Sequence, residues 1–231
     1  MTERRAPTDP ATLVTTRLAL HSLAEHLLAG DLWRRTGKIG LRRTPGGFGQ
    51  PETLVDGTRH RLRIDGTWLV VLEGDAERWQ ELSSPAAAAT FADTPLGAPT
   101  EAFAPLTVLR AEEALVIDAA AAWELARWFE LVDEALEEIR RRHRDRGPTL
   151  VQLWPEHFDL AFSMSEVNVG GSPGDAAHDE PYLYVGPWTP QEGSGWNEPW
   201  GMSRPASAVT GWADAVDFFE AGLRAALAGS G

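Results

Sequence analysis

The densest group of chemically capable residues lies in Trp154-Pro155-Glu156-His157-Phe158-Asp159-Leu160-Ala161. There Phe158, Leu160, Phe162 and Met164 alternate with His157, Asp159, Ala161 and Ser163. A strand of period two sends the imidazole and the carboxylate to one face and the apolar set to the other. A carboxylate beside an imidazole fixes its tautomer and raises its pKa, which prepares a general base or a pH-sensitive contact. Asn168, Tyr182, Tyr184 and Trp188 line the same surface if the later strands pair in the expected register. His157, Asp159, Asn168, Tyr182, Tyr184 and Trp188 are therefore the expected ligand-binding set, an aromatic-walled surface with few polar groups of the kind that takes small molecules. The competing expectation is structural: His157 and Asp159 bond each other and hold the corner after Pro155.

Other motifs offer sharper chemistry on weaker patterns. His157, Asp159, Asp175 and His178 supply two imidazoles and two carboxylates, a donor set for zinc, iron or manganese in a metal-dependent hydrolase or isomerase. Their spacing alone assigns no metal, and neither a cofactor nor a catalytic residue follows from it. Gly170-Gly171-Ser172-Pro173-Gly174 fits the G-x-S-x-G elbow of serine hydrolases, but Pro173 has no N–H to give an oxyanion hole and no helix signal follows. His21, Glu25 and His26 match a helical zinc motif only loosely, and a solvated helix surface is expected there. Gly46-Gly47-Phe48-Gly49 lacks the Lys of a phosphate loop and reads as a glycine turn. Of the ten Trp residues, Trp33, Trp123, Trp128 and Trp212 fall on or beside apolar helix faces and are expected in the core. Trp188, Trp196 and Trp200 share a Gly/Pro-containing loop, which makes a lid over the polar face or, around Trp196 and Trp200, a patch for a protein partner.

The elements that must position these residues follow from periodicity. Leu20, Leu23, Ala24, Leu27 and Leu28 recur at helical spacing, so a helix is expected from Thr16 to Arg35, ended by Gly37. Lys38 to Arg43 alternates as a strand, Thr44 to Gly49 breaks the chain, and His60 to Ile64 and Thr67 to Leu72 flank Asp65-Gly66 as a hairpin. Ser84-Pro85 opens a short capped helix inside an Ala/Pro/Thr-rich connection. Asp118 caps a long helix to Arg144 that carries Leu125, Trp128, Phe129, Val132, Leu136 and Ile139 on one side and ends at Gly147-Pro148. Strands follow at Leu150 to Trp154, at the alternating segment to Met164, at Glu166 to Val169 and at Tyr182 to Trp188. Ser172-Pro173-Gly174-Asp175 forms a type II turn and a last helix runs from Trp212 to Leu227. Runs of strands and helices in this order define an α+β class, with antiparallel sheets packed on three main helices. The expected parts are 1–105 and 106–231, or one continuous domain.

The succession WPEHFD at 154–159, SPGD at 172–175 and PYLY at 181–184, with Gly40-Leu41-Arg42 and Thr44-Pro45-Gly46-Gly47-Phe48-Gly49, resembles a family of uncharacterised bacterial proteins sharing a WPxHFD segment, an SPGD turn and a PYLY strand. These stretches cover about a tenth of the chain. The resemblance implies a shared fold and brings no activity with it.

Composition narrows the partners. The chain has 231 residues, a net charge of −13 and no Cys, so disulfides, thiolate metal sites and cysteine nucleophiles are excluded. Residues 1–70 hold more Arg and Lys than Asp and Glu, so the negative charge is concentrated in the rest and nucleic acid is not an expected partner. Arg42, Arg43, Arg59, Arg61 and Arg63 make at most a basic stripe, expected to be solvated strand faces. With no secretory pattern and no apolar run long enough to span a bilayer, a cytoplasmic protein without membrane insertion is expected.

Overall fold

The computed structural model describes residues 8–228 apart from 192 and 194. The chain is an α+β protein whose contacts divide it into two compact units, residues 1–39 with 44–127, and residues 40–43 with 128–231. No helix among the described residues is long and apolar enough to cross a membrane.

In the first unit, helix α1 (Pro10–Leu23) opens into a π-helical turn (Ala24–Ala29) and closes as α2 (Gly30–Thr36), with Gly37 at φ 68° ending the run. The start lies six residues before the expected Thr16, because the Asp9 side chain accepts the Thr12 N–H at 3.0 Å and Pro10 takes a position that needs no donor. The strands are β1 (Arg42–Thr44), whose first two residues belong to the second unit, and β2 (Gly47–Gly49), β3 (Thr53–Val55), β4 (Thr58–Asp65), β5 (Trp68–Glu73) and β6 (Ala76–Glu81). They form one sheet in the order β1-β2-β4-β5-β6, with β3 also paired to β4.

The β4–β5 hairpin is present, with its loop shifted by one residue: Asp65 pairs with Trp68, and Gly66 at φ 57° occupies the first loop position. Gly47-Phe48-Gly49 is a strand rather than a break. A Cβ on Gly47 would lie 2.5 Å from the Ile64 carbonyl oxygen, and one on Gly49 2.5 Å from the Arg63 Cβ, so glycine is what permits that pairing. Four of the five arginines expected as a basic stripe pair with carboxylates: Arg59 with Glu52 and Asp75, Arg61 with Glu77, Arg63 with Asp65 and Glu77, and, in the second unit, Arg43 with Glu130 and Asp133, while Arg42 donates to the Leu41 carbonyl. Helix α3 (Pro85–Ala92) is capped as expected by Ser84, which accepts the Ala87 N–H.

Helix α4 (Ala119–Arg142), capped by Asp118 at 2.9 Å from the Ala121 N, carries its predicted apolar side fully buried. From Trp128 onward it belongs to the second unit, with β7 (Gln152–Trp154), β8 (Asp159–Met164), β9 (Val167–Ser172), β10 (Tyr182–Pro187), β11 (Met202–Pro205) and α5 (Trp212–Ala228). The five strands form an antiparallel meander, β11-β10-β9-β8-β7. Its register puts Leu160, Phe162, Met164, Val167, Val169, Leu183 and Val185, all buried, on one face. That face packs on α4 and α5: Val132 lies against Gly171, and Val185 against Gly222. Each buried Leu, Phe or Val contributes about 1.5–3 kcal/mol relative to exposure. Among the Trp residues expected in the core, Trp128 is buried and donates to the Ser172 carbonyl at 2.8 Å, whereas Trp123 and Trp212 are exposed and Trp33 is half-buried.

Candidate functional site

The opposite face of the meander holds the candidate site. Alternation from the register places Asp159, Ala161 and Ser163 of β8, Asn168, Gly170 and Ser172 of β9, Tyr182, Tyr184 and Gly186 of β10, and Ser203 and Pro205 of β11 on it. None of these is Arg or Lys. His157 is not on the strand. Pro155 cannot donate to a ladder, and residues 155–158 turn, with the Phe158 N–H reaching the Trp154 carbonyl at 2.7 Å and Phe158 at φ 54°. Alternation therefore begins at Asp159, and His157 is exposed on the turn. The buried Phe158 ring, edge-on to Phe129 at 5.5 Å, holds this uncommon backbone in place. Glu166 likewise leaves the expected strand, because Ser165 and Glu166 at φ 49° and 62° form the β8–β9 turn.

Asp159 is the buried polar centre of this face. Its Oδ2 accepts the Tyr184 hydroxyl, while Oδ1 is buried without a hydrogen-bond partner among the described residues, as is Oε2 of nearby Glu156. Burial pushes the Asp159 carboxyl up to about 6, against the Tyr184 hydrogen bond and the His157 charge, with Glu156 adding to the rise. Burial and the Asp159 charge also hold the Tyr184 phenol well above its ordinary value, so it stays a donor. Tyr184 reaches Asp159 by lying across Gly170, where a Cβ would be 2.6 Å from its ring and hydroxyl.

A second polar chain flanks the first. The Tyr182 hydroxyl donates to Asp175 Oδ2 at 2.6 Å, and the His178 imidazole lies between Asp175 (3.2 Å) and Glu198 (3.1 Å), whose Oε1 also accepts the Ser203 hydroxyl at 2.7 Å. Partial burial opposes the charge on His178, but the two carboxylates outweigh it and raise its pKa. The SPGD turn makes this possible. Gly174 at φ 99° follows Pro173, and Asp175 accepts the backbone N–H groups of Ala177 and His178. His178 packs on Tyr182 with ring centroids 4.5 Å apart, and Trp200 contacts both tyrosines at 6.3 and 5.9 Å.

At the other end of the face, Asn168 Oδ1 accepts from the Ser163 hydroxyl at 2.7 Å and the Trp188 indole at 3.1 Å. Trp200 lies over Gly186, the cross-strand partner of Asn168. The two indoles are 37% and 63% exposed for Trp200 and Trp188, which makes them the open aromatic surface of the site. Trp196 is half-buried.

The fold thus unites Asp159, Tyr182, Tyr184 and Asn168 with Trp188, leaves His157 at the margin, and adds Asp175, His178, Glu198 and Trp200. The metal expectation separates into two pairs: Asp175 bonds His178, while His157 lies near Asp159 on the turn before β8. Among the described residues no group of three or more His, Asp or Glu is placed to hold a metal. Ser172 uses its hydroxyl on Gly174, and residues 173–181 form no helix, so the serine elbow is not built.

Two buried polar clusters in the first unit are structural. Asp31 accepts from Arg35, Gln50 and Thr94 and pairs with His60. Burial works to raise its pKa, but these donors and the Arg35 charge prevail and hold it far below the carboxylate range. Glu25 and His26, expected on a solvated surface, are buried with His21. Glu25 accepts the backbone N–H groups of Leu106 (2.7 Å) and Thr107 (2.9 Å). His26 Nδ1 accepts from Ala98 N, which leaves Nε2–H to donate to the Thr107 carbonyl. The π-helical turn thereby fastens the Pro-rich connection by its backbone.

Comparison of the chain with known protein families, curated proteins and solved structures finds no match.

Proposed function

We propose that the second unit binds a small molecule on the polar face of its meander, with the Trp188 and Trp200 indoles as stacking surfaces and the Asp159–Tyr184 pair as the polar anchor. The observation that carries this reading is Asp159: a carboxyl buried at 6% exposure, bonded through one oxygen and, among the described residues, without a partner from another residue at the other, on the face that also carries exposed indoles. A buried unpartnered polar atom lacks about 1–3 kcal/mol of stabilisation, which a ligand donor can supply. Aromatic area with a few fixed polar groups is the usual composition of a small-molecule site.

The test is a fragment titration followed by two-dimensional NMR of the ten indole N–H groups, with Trp188 and Trp200 assigned from Phe variants. Saturable shifts at both signals, lost in Trp200→Ala, support the reading. A diverse library that moves neither signal refutes it.

A further inference from the structure

We infer that the ligand class this face recognises is an organic cation, a substituted or quaternary ammonium group. The inference rests on the small-molecule reading above and adds the sign of the charge. Three observations carry it. The first is charge: the carboxylates around the face are Asp159, Glu156, Asp175 and Glu198, its strand positions include no Arg or Lys, and the nearby basic groups are His157 and His178. His178 is already engaged by two of those carboxylates, which leaves Asp159 and Glu156, two carboxylates, beside the one imidazole of His157.

The second observation is the exposed aromatic surface. Trp200 lies over Gly186 and against Tyr182 and Tyr184, Trp188 is held by Asn168, and a ring face attracts a cation by about 0.5–2 kcal/mol, most strongly for Trp. The third, independent of both, is the buried Asp159 Oδ1. It shares its carboxyl with the oxygen bonded to Tyr184 across the polar face, and Oδ1 is buried with no hydrogen-bond partner in another described residue. An anionic ligand would meet unsatisfied carboxylate. A neutral one would gain the stacking and leave the charge unanswered. A cation answers both.

Choline chloride and its uncharged isostere 3,3-dimethylbutan-1-ol separate these cases when titrated into the full chain, read at the Trp188 and Trp200 indole signals, with methyl glucoside as a polar neutral control. Choline is expected to shift both signals saturably and to bind about 10-fold tighter than the isostere, in keeping with a cation–π contact joined to a carboxylate. Asp159→Asn, which keeps the side-chain shape, is expected to remove the choline preference, and Glu156→Gln, half-buried on the turn before β8, to reduce it. Equal affinity for choline and isostere, or a response to methyl glucoside alone, overturns the cationic assignment and leaves the binding face standing. No response to choline while library fragments shift the same indoles does the same. No response to any compound removes both readings.

Discussion

Moving the Asp159 carboxyl from water into the sheet favours its protonated form, and the consequence can be measured as stability. Its pKa rises from the ordinary 3.8 to about 6 in the folded chain. Between those values the native state holds a proton that the unfolded chain has lost, so this residue's contribution falls as pH rises from about 4 to 6 and is constant outside that window. A shift of that size corresponds to about 3 kcal/mol. Asp159→Asn is therefore expected to melt higher than the parent at pH 8 and to differ little from it at pH 4, as read by calorimetry at both. An Asn variant less stable at pH 8 than the parent would show that the ionised carboxylate is stabilised where it sits. His178 carries the opposite sign. Its raised pKa gives stability that is complete below the ordinary 6.5 and is lost as pH climbs through the folded value. Glu198→Gln should shrink that loss, visible as a flatter stability profile above neutrality.

At the scale of elements, glycine decides where the rings lie. A methyl group at Gly170 would meet both the Tyr184 ring and the Leu160 carbonyl oxygen at 2.6 Å, so Gly170→Ala is expected to destabilise by about 1–3 kcal/mol and to displace Tyr184 from Asp159. Equilibrium denaturation reads the first effect and the Tyr184 ring signals in NMR the second. In the first unit, Glu25→Ala strips the Leu106 and Thr107 N–H groups of their acceptor and is expected to lower stability by about 2–4 kcal/mol, whereas a solvated Glu25 would be nearly silent. Much of this level was legible in the sequence. Periodicity found the buried side of α4, composition found the β4–β5 turn, and the Ser84 and Asp118 caps fell where hydroxyl and carboxylate precede apolar helix. Asn168, Tyr182 and Tyr184 were placed on one face because strand alternation and short turns fix parity. His157 was misplaced because Phe158 adopts a positive φ with its ring buried edge-on to Phe129, which no local pattern carries. Glu198 joins His178 across 20 residues through loop geometry, and Glu25 is buried because a distant backbone needs its oxygens, so neither leaves a spacing signature.

For the whole molecule, charge is the quantity that reaches beyond the site. A net −13 and an isoelectric point near 4.9 give a field that repels polyanions and attracts cations, while Arg59, Arg61 and Arg63 of the first unit are already paired with carboxylates. Affinity for choline is expected to fall ~3-fold as ionic strength rises from about 0.01 to 0.15 M, because the screening length contracts from about 30 to 8 Å. Isothermal titration at the two salt levels checks it, and an affinity that ignores salt speaks against a charged ligand. The binding face itself is tested most directly by soaking crystals of the full chain with fragments and reading the density. Fragments seated on Trp188 and Trp200 with a donor turned toward the Asp159–Tyr184 pair are the expected result. Fragments found only elsewhere, with that face bare in every soak, would contradict the assignment of the second unit as a small-molecule binder.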